Sequence, residues 1–312
     1  MGSGVDRGEA ASRSADWLRQ RERGAVWAIT LATWIATGLG RPAARLLARA
    51  IAAYYVVFDR RARRASREWL ARVHGRPASL AEVYRHVSCF AQATTDRLFF
   101  ARSAFDVFEI TRTGNHYLDA LAREKRGAIL LGAHLGSFEA MRAASHHERF
   151  PVTIVGHFEN AQRINAVLER LDPELASHVV HAGRDPVELA LTLRDRLAAG
   201  GMVALLADRV GLNDRSISVE FFGKPARFAA GPFLLAAILK CPIYLVFGIY
   251  REPNRYELYC EPFAERLVLP RGAREEVLTR EVARYARRLE DYCRQAPDNW
   301  FNFFDFWETG AP

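Results

Sequence analysis

The sequence predicts an α/β protein: a mostly parallel central sheet flanked by helices, preceded by membrane-associated N-terminal helices. Two observations predict the α/β part. From residue 105 onward, short apolar runs alternate with segments of helical periodicity over short links, the pattern of βαβ units. The clearest run, Ala128-Ile129-Leu130-Leu131, is bounded by Gly127 and Gly132 and reads as a buried strand. A third observation separates off the front of the chain. Residues 1–80 hold 15 Arg, no Lys and 6 acids, a local charge of +9 in a chain whose net charge is +8. The sequence therefore divides into a polar, disordered tail at 1–15, a helical membrane-associated region at 16–100, and an α/β domain at 101–312.

The elements follow in order. An uncharged run over 24–40 carries Trp27, Ile29, Leu31, Trp34, Ile35 and Leu39, and sits between the lengths of a membrane span and an interfacial helix. After Arg41-Pro42 a second helix carries Leu46, Leu47, Ile51, Tyr54, Tyr55 and Val57, followed by the cluster Arg60, Arg61, Arg63, Arg64 and Arg67. Apolar, aromatic helices with basic flanks fit a membrane surface. No nucleic-acid partner is expected, because basic and aromatic residues are not interleaved on one polar face; a basic nucleic-acid-binding module is the rival that a gel shift against a flotation assay decides. Ser79-Leu80-Ala81-Glu82 is a capping box that opens a helix toward Phe100. Strands are expected at 105–110, 128–132, 152–155, 178–180, 202–206, 216–222, 243–250 and 256–261. Helices are expected at 115–124, 137–147, 160–171, from Asp185-Pro186 to Gly200, at 232–239 and at 274–294. Asp185, with Pro186 at the first helical position and Glu188 three residues on, is a strong helix start.

Composition narrows the chemistry. Half of the residues are hydrophobic, ample for a core. The four cysteines, Cys89, Cys241, Cys260 and Cys293, form no CxxC pair, which suits a reducing compartment and argues against a disulfide framework or a zinc site. No metal is expected at the His either, since no third His or Cys follows at ligand spacing.

Ligands of an open α/β sheet collect at the carboxyl ends of its strands. His134 lies there, after the 128–132 strand, with Glu139 five residues on. Five residues on one continuous helix place two side chains about 140° apart. A His on the turn before the helix can instead fold back toward Glu139. A carboxylate on one ring nitrogen fixes the tautomer that a general base needs. Asp208-Arg209 follows the 202–206 strand, His157, Asn160 and Arg163 follow the 152–155 strand, and Arg184 follows the 178–180 strand. Convergent cations beside a His suit an anionic, phosphate-like group. Lys224 and Arg227 flank a turn behind Phe221-Phe222, readable as a plain hairpin or as a lid. The ending Trp300-Phe301-Asn302-Phe303-Phe304-Asp305-Phe306-Trp307 is readable as a docked terminal segment or as a lipid contact.

In this order the motifs resemble the lysophospholipid acyltransferase superfamily, and within it the bacterial lipid A biosynthesis (lauroyl/myristoyl) acyltransferases, from about Trp17 to Trp307. His134-Leu-Gly-Ser-Phe-Glu139 is similar to that family's HX4(D/E) motif. Phe158 to Arg163 falls where the family has its second block, Ala207-Asp208-Arg209 where it has its third, and Cys241-Pro242-Ile243 where it has its fourth. The stretch from Phe221 through Lys224 and Arg227 to Ala237 resembles one typical of the lipid A branch. The chain departs from that branch at Ser137-Phe138, where Asn-Trp is usual, and in its ending, which leaves the acceptor open.

The resemblance implies an O-acyltransferase that moves a fatty acyl group from an acyl carrier protein or CoA thioester to a hydroxyl of a membrane lipid or glycolipid. In it, His134 is the base and Glu139 orients it. Backbone N–H groups near Gly136 meet the oxyanion, and Arg163, Asp208, Arg209, Lys224 and Arg227 hold substrate. No cofactor is implied beyond the acyl thioester. The implied partners are anionic membrane lipid, acyl carrier protein and the lipid acceptor, at the cytoplasmic face of the bacterial inner membrane, peripheral or single-pass. The alternative is an inactive lipid-binding protein of the same fold.

Overall fold

Strand Ala128–Gly132 (β2) is buried at all five positions, as a parallel strand covered on both faces must be. The computed structural model describes residues 33–36, 38–147, 152–156, 179–181, 185–211 and 214–307. Within them β2 lies at the centre of a seven-stranded sheet, between Met202–Leu206 (β5) and Ile243–Arg251 (β8), parallel to both. Beyond β5 come Val152–Gly156 (β3) and Val179–His181 (β4), both parallel. Beyond β8, Arg255–Ala264 (β9) runs antiparallel to it, and Glu109–Thr113 (β1) closes the edge parallel to β9. The mostly parallel sheet is as expected.

Alternation along β2 sends successive side chains to opposite faces. Ile129 and Leu131 enter the main core with helices Pro186–Ala198 (α6), Gly231–Leu239 (α7) and Arg274–Gln295 (α8). Ala128 and Leu130 pack on the other face with Leu121 of Asn115–Glu124 (α4) and with Phe138 and Met141 of Phe138–His147 (α5). Three helices precede the sheet: Gly40–Phe58 (α1), Arg60–His74 (α2) and Leu80–Phe100 (α3). Their residues Ala52, Trp69, Leu70 and Val83 share the main core with the sheet. The capping box at Ser79 and Glu82 is present, and Asp185 caps α6.

Two segments differ from expectation. The arginine cluster is not merely a flank but the start of α2, because Asp59 accepts the N–H groups of Arg61 and Ala62 and caps it. Its Arg63 donates to the carbonyls of Val56 and Val57 and closes the end of α1. The strand expected at 105–110 is a 3-10 turn, Phe105–Val107, followed by β1 at Glu109–Thr113. Phe108 is withdrawn into an aromatic cluster with Phe100 and Tyr256, which displaces the strand toward the polar residues beyond it.

Strands Ser216–Phe221 (β6) and Lys224–Ala229 (β7) form an antiparallel hairpin. Its two-residue turn has φ of +48° at Phe222 and +73° at Gly223, the left-handed pair that a tight hairpin requires. Among the described residues no helix is long and apolar enough to cross a membrane. Most of the 24–40 run lies outside the described residues, as do the 1–15 tail and the expected 160–171 helix.

Candidate active site

The site arises from register. Gly132 pairs with Leu206 on parallel neighbours β2 and β5, so residues two further along each strand emerge side by side. Those residues are His134 and Asp208. Asp208 Oδ1 lies 2.9 Å from His134 Nδ1, and Oδ2 accepts the backbone N–H of His134 at 3.0 Å. The indole N–H of Trp300 donates to the same Oδ2 at 3.2 Å. Asp208 is 1% exposed and His134 is 29% exposed. A carboxylate held by three donors is ionised and can only accept, so Nδ1 carries the imidazole proton. The lone pair is left on Nε2.

Charge supports this state. Burial opposes ionisation of Asp208, but His134 and Arg209 outweigh it and hold the carboxyl below its usual range. Burial, and then the Arg209 charge, push His134 below the usual imidazole range against the pull of Asp208 and Glu139. The ring is therefore neutral at pH 7, as a base must be.

Glu139 is not the carboxylate that holds Nδ1. It pairs instead with Arg97 of α3, whose Nε lies 2.7 Å from its Oε1. The reason is geometric: Glu139 is on the first turn of α5 and faces α3, while the adjacent strand end already supplies Asp208. Gly136 also takes a different part. Its φ is +73°, and an added Cβ would fall 1.9 Å from the carbonyl oxygen of Gly248. Its N–H donates to the Asn299 carbonyl at 2.8 Å, and the Ser137 N–H donates to the Gly248 carbonyl at 2.7 Å. Both groups are therefore committed within the protein and are not oxyanion donors. Ser137 Oγ accepts the Ala140 N–H and caps α5.

Arg209 lies beside the dyad. It donates to the Phe301 carbonyl at 2.6 Å and sits over the Phe304 ring. Burial holds its pKa down to about 10 against Asp208, so it stays charged at neutral pH. Lys224 and Arg227 lie on the β6–β7 hairpin, which packs on α8 and receives the Trp307 indole N–H at the Phe221 carbonyl. Neither lines the cleft at His134. Arg163 lies outside the described residues, as do His157, Asn160 and Arg184.

That cleft has a volume of about 1070 Å³. His134, Glu139, Arg97 and Arg209 are among its polar lining residues, with Asp59, Arg61, Asp214 and Arg215, and Ile51, Tyr55, Phe90, Leu235 and Ile238 are among its apolar ones. A neutral imidazole in a largely apolar cleft that also holds charged side chains suits a ligand with a polar head and hydrocarbon. The sequence matches the family described as bacterial lipid A biosynthesis acyltransferase over residues 13–309. The chain belongs to this family. A search of curated proteins found no match. Family membership makes the protein an acyltransferase with a lipid acceptor and an acyl donor.

Two parts of this acyltransferase site escaped the sequence reading. Asp208 was expected among the substrate-binding residues, and the structure pairs it with His134. The signal available was its position: His134 and Asp208 each lie two residues past a strand, on strands that prove adjacent. The other part is the C-terminal segment, which reaches Asp208 and Arg209 from 92 residues away in sequence and His134 from further still, with no local signal for where it docks.

Proposed function

We propose that the protein transfers a fatty acyl group from a thioester of acyl carrier protein or coenzyme A to a hydroxyl of a membrane lipid or glycolipid, with His134 as general base and Asp208 as the carboxylate that orients it. The observation that carries this is the 2.9 Å contact between His134 Nδ1 and Asp208, which leaves Nε2 as the basic atom. The acceptor oxygen attacks the thioester carbonyl carbon while its proton passes to Nε2. The C–S bond then breaks, and the leaving thiolate takes the proton back from the imidazolium. No nucleophilic Ser or Cys is needed, because the acceptor is the nucleophile. The oxyanion meets the positive end of α5, where the N–H groups of Phe138 and Glu139 are the first-turn donors assigned to it. Glu139 keeps Arg97 at the cleft, and Arg209 places a second fixed charge beside the base. These two, with Arg163, are assigned to an anionic part of donor or acceptor.

Attachment is peripheral in this reading. The outward side of α1 exposes Leu46, Ile51, Tyr54, Val57 and Phe58, and the adjoining α2 exposes Arg60, Arg61, Arg64 and Arg67. An apolar stripe beside arginines fits an anionic lipid surface. The test of the chemistry is His134→Ala, assayed for loss of acyl thioester and formation of acylated lipid with an inner-membrane lipid extract. Loss of general base catalysis costs about 10²–10⁴-fold. A folded variant that keeps more than half of the turnover sinks the assignment.

A further inference from the structure

The C-terminal segment is built into the catalytic turn. Asn299 accepts the Gly136 N–H at its carbonyl, and its side chain bonds both backbone groups of Tyr250 at 2.7 and 3.0 Å. Leu135 and Trp300 form a β-bridge, and the Phe301 N–H donates to the His134 carbonyl at 2.9 Å. Arg209 grips the Phe301 carbonyl from the other strand end. Residues 299–301 therefore contact the turn carrying the base and the turn carrying its carboxylate at once. One side chain of the segment, the fully buried Trp300, reaches the dyad.

We propose that Trp300 is a positioning residue of the His134–Asp208 dyad: its indole N–H fixes Asp208 Oδ2, so that Oδ1 meets His134 Nδ1. This rests on the acyltransferase reading above. Asp208 has two oxygens and three donors, and each does a separate task. The His134 N–H ties Oδ2 to the turn, Nδ1–H takes Oδ1, and the indole is the second donor to Oδ2 and the one that comes from outside the turn. Trp300 is in turn locked. Its carbonyl lies 2.9 Å from His86 Nε2, and a carbonyl only accepts, so Nε2 carries the proton and Nδ1 accepts from the Ser66 hydroxyl at 2.8 Å. Trp69 packs against the Trp300 ring at a centroid distance of 4.5 Å, and Phe306 packs at 4.7 Å. The indole N–H withdraws charge from Oδ2. Its removal concentrates charge on the carboxylate facing the imidazole and strengthens the hold of His134 on a proton. Among the described residues, the other charged or titratable groups around the dyad are Arg209 on its own turn, Glu139 on α5, Arg97 on α3, and Tyr285 and Cys293 on α8. None of these side chains is itself replaced in the Trp300 variants.

The experiment replaces Trp300 in the full-length chain by benzothienylalanine, which keeps the ring shape and loses the N–H, alongside Trp300→Phe. Trp307→Phe is the control. It removes an indole N–H from the same aromatic cluster, but one that donates to the Phe221 carbonyl. His134 titration is read by nitrogen NMR of histidine-labelled protein, assigned by subtraction with His134→Gln. Turnover is read with a myristoyl thioester and an inner-membrane lipid extract. The benzothienyl variant is expected to keep the fold, raise the His134 midpoint and lower kcat about tenfold, with KM unchanged within about twofold. The control is expected to leave the midpoint in place. A His134 midpoint equal in the two variants overturns the proposal, as does a rise in KM with kcat retained. An active His134→Ala variant overturns the assignment of His134 as general base instead, and the NMR titration of the Trp300 variants still decides whether Trp300 acts on the dyad.

Discussion

Asp208→Asn separates the two carboxylates near the base. The wild-type carboxylate accepts from three donors: the His134 N–H at 3.0 Å, Nδ1–H at 2.9 Å and the Trp300 N–H at 3.2 Å. Asn is nearly isosteric but has one accepting oxygen and one NH₂ group. Its oxygen turns to the side where two N–H donors meet, the one occupied by Oδ2. The NH₂ then faces Nδ1, which must accept, and the imidazole proton moves to Nε2. The base is thereby presented in the wrong tautomer. In serine-protease triads the corresponding change costs about 10⁴-fold in kcat, and a loss of about 10³–10⁴-fold is expected here. Stability falls by about 1–3 kcal/mol, the cost of disturbing buried donors. Glu139→Gln breaks the Arg97 pair but leaves the dyad intact, so its loss is expected to stay within about tenfold. Both variants are assayed for lipid acylation, with thermal melting on the same preparations. An Asp208→Asn enzyme with more than a tenth of wild-type kcat, beside an inactive Glu139→Gln enzyme, refutes the assignment and restores Glu139 as the partner of His134.

Arg209→Gln removes the charge that depresses His134, so the acidic limb of kcat/KM moves to higher pH; an unmoved limb contradicts that electrostatic role. The same variant loses the contact to the Phe301 carbonyl and melts at a lower temperature, as calorimetry will show. His86 is held neutral by burial, with its pKa pushed down to about 4 from 6.5. A lowered His pKa gives stability that is complete above 6.5 and lost as pH falls toward 4, about 3 kcal/mol in all, so the melting temperature of His86→Gln should fall less steeply than wild type between those values. Reversal of Arg60, Arg64 and Arg67 to Glu weakens binding to anionic vesicles by about 1 kcal/mol per residue, most at low salt, whereas binding unchanged in co-sedimentation assigns these arginines another role.

Most of the sheet was legible because most strands carry their own signal, the edge strand Glu109–Thr113 being the exception. β2 is apolar between two glycines, α6 has Asp185 and Pro186 at its start, and α3 has its capping box. Local signals of that kind do not say which strands are neighbours. Only the order β8-β2-β5 puts Asp208 beside His134, and Glu139 was the nearer carboxylate in sequence. The β6–β7 hairpin shows the same limit from the other side. Lys224 and Arg227 look like substrate ligands beside the site motifs, but the hairpin folds onto α8 and the C-terminal tryptophan. The eight-residue aromatic ending reads as lipid contact or as core, and its residues divide: Trp300 and Trp307 are buried against Trp69 and Phe221, while Phe301, Phe303 and Phe304 line the cleft.

On the proposed reading, α1 joins attachment to catalysis. Its outward residues Leu46, Tyr54, Val57 and Phe58 face solvent, while Ala48, Ala52 and Tyr55 line the cleft. Ile51 belongs to both sides: it is half exposed and also forms cleft wall. A helix seated on the bilayer by its outer stripe therefore places the apolar mouth of the cleft at the lipid surface. An acceptor can then bring its hydroxyl to His134 while its hydrocarbon remains among apolar side chains, which avoids the cost of exposing that chain to water, about 0.8 kcal/mol per methylene. Ile51→Asp bears on this coupling without touching the dyad. It should raise KM for the lipid acceptor and leave hydrolysis of a short, soluble acyl thioester unchanged. Equal losses in both assays would show that α1 serves the fold rather than delivery of the acceptor.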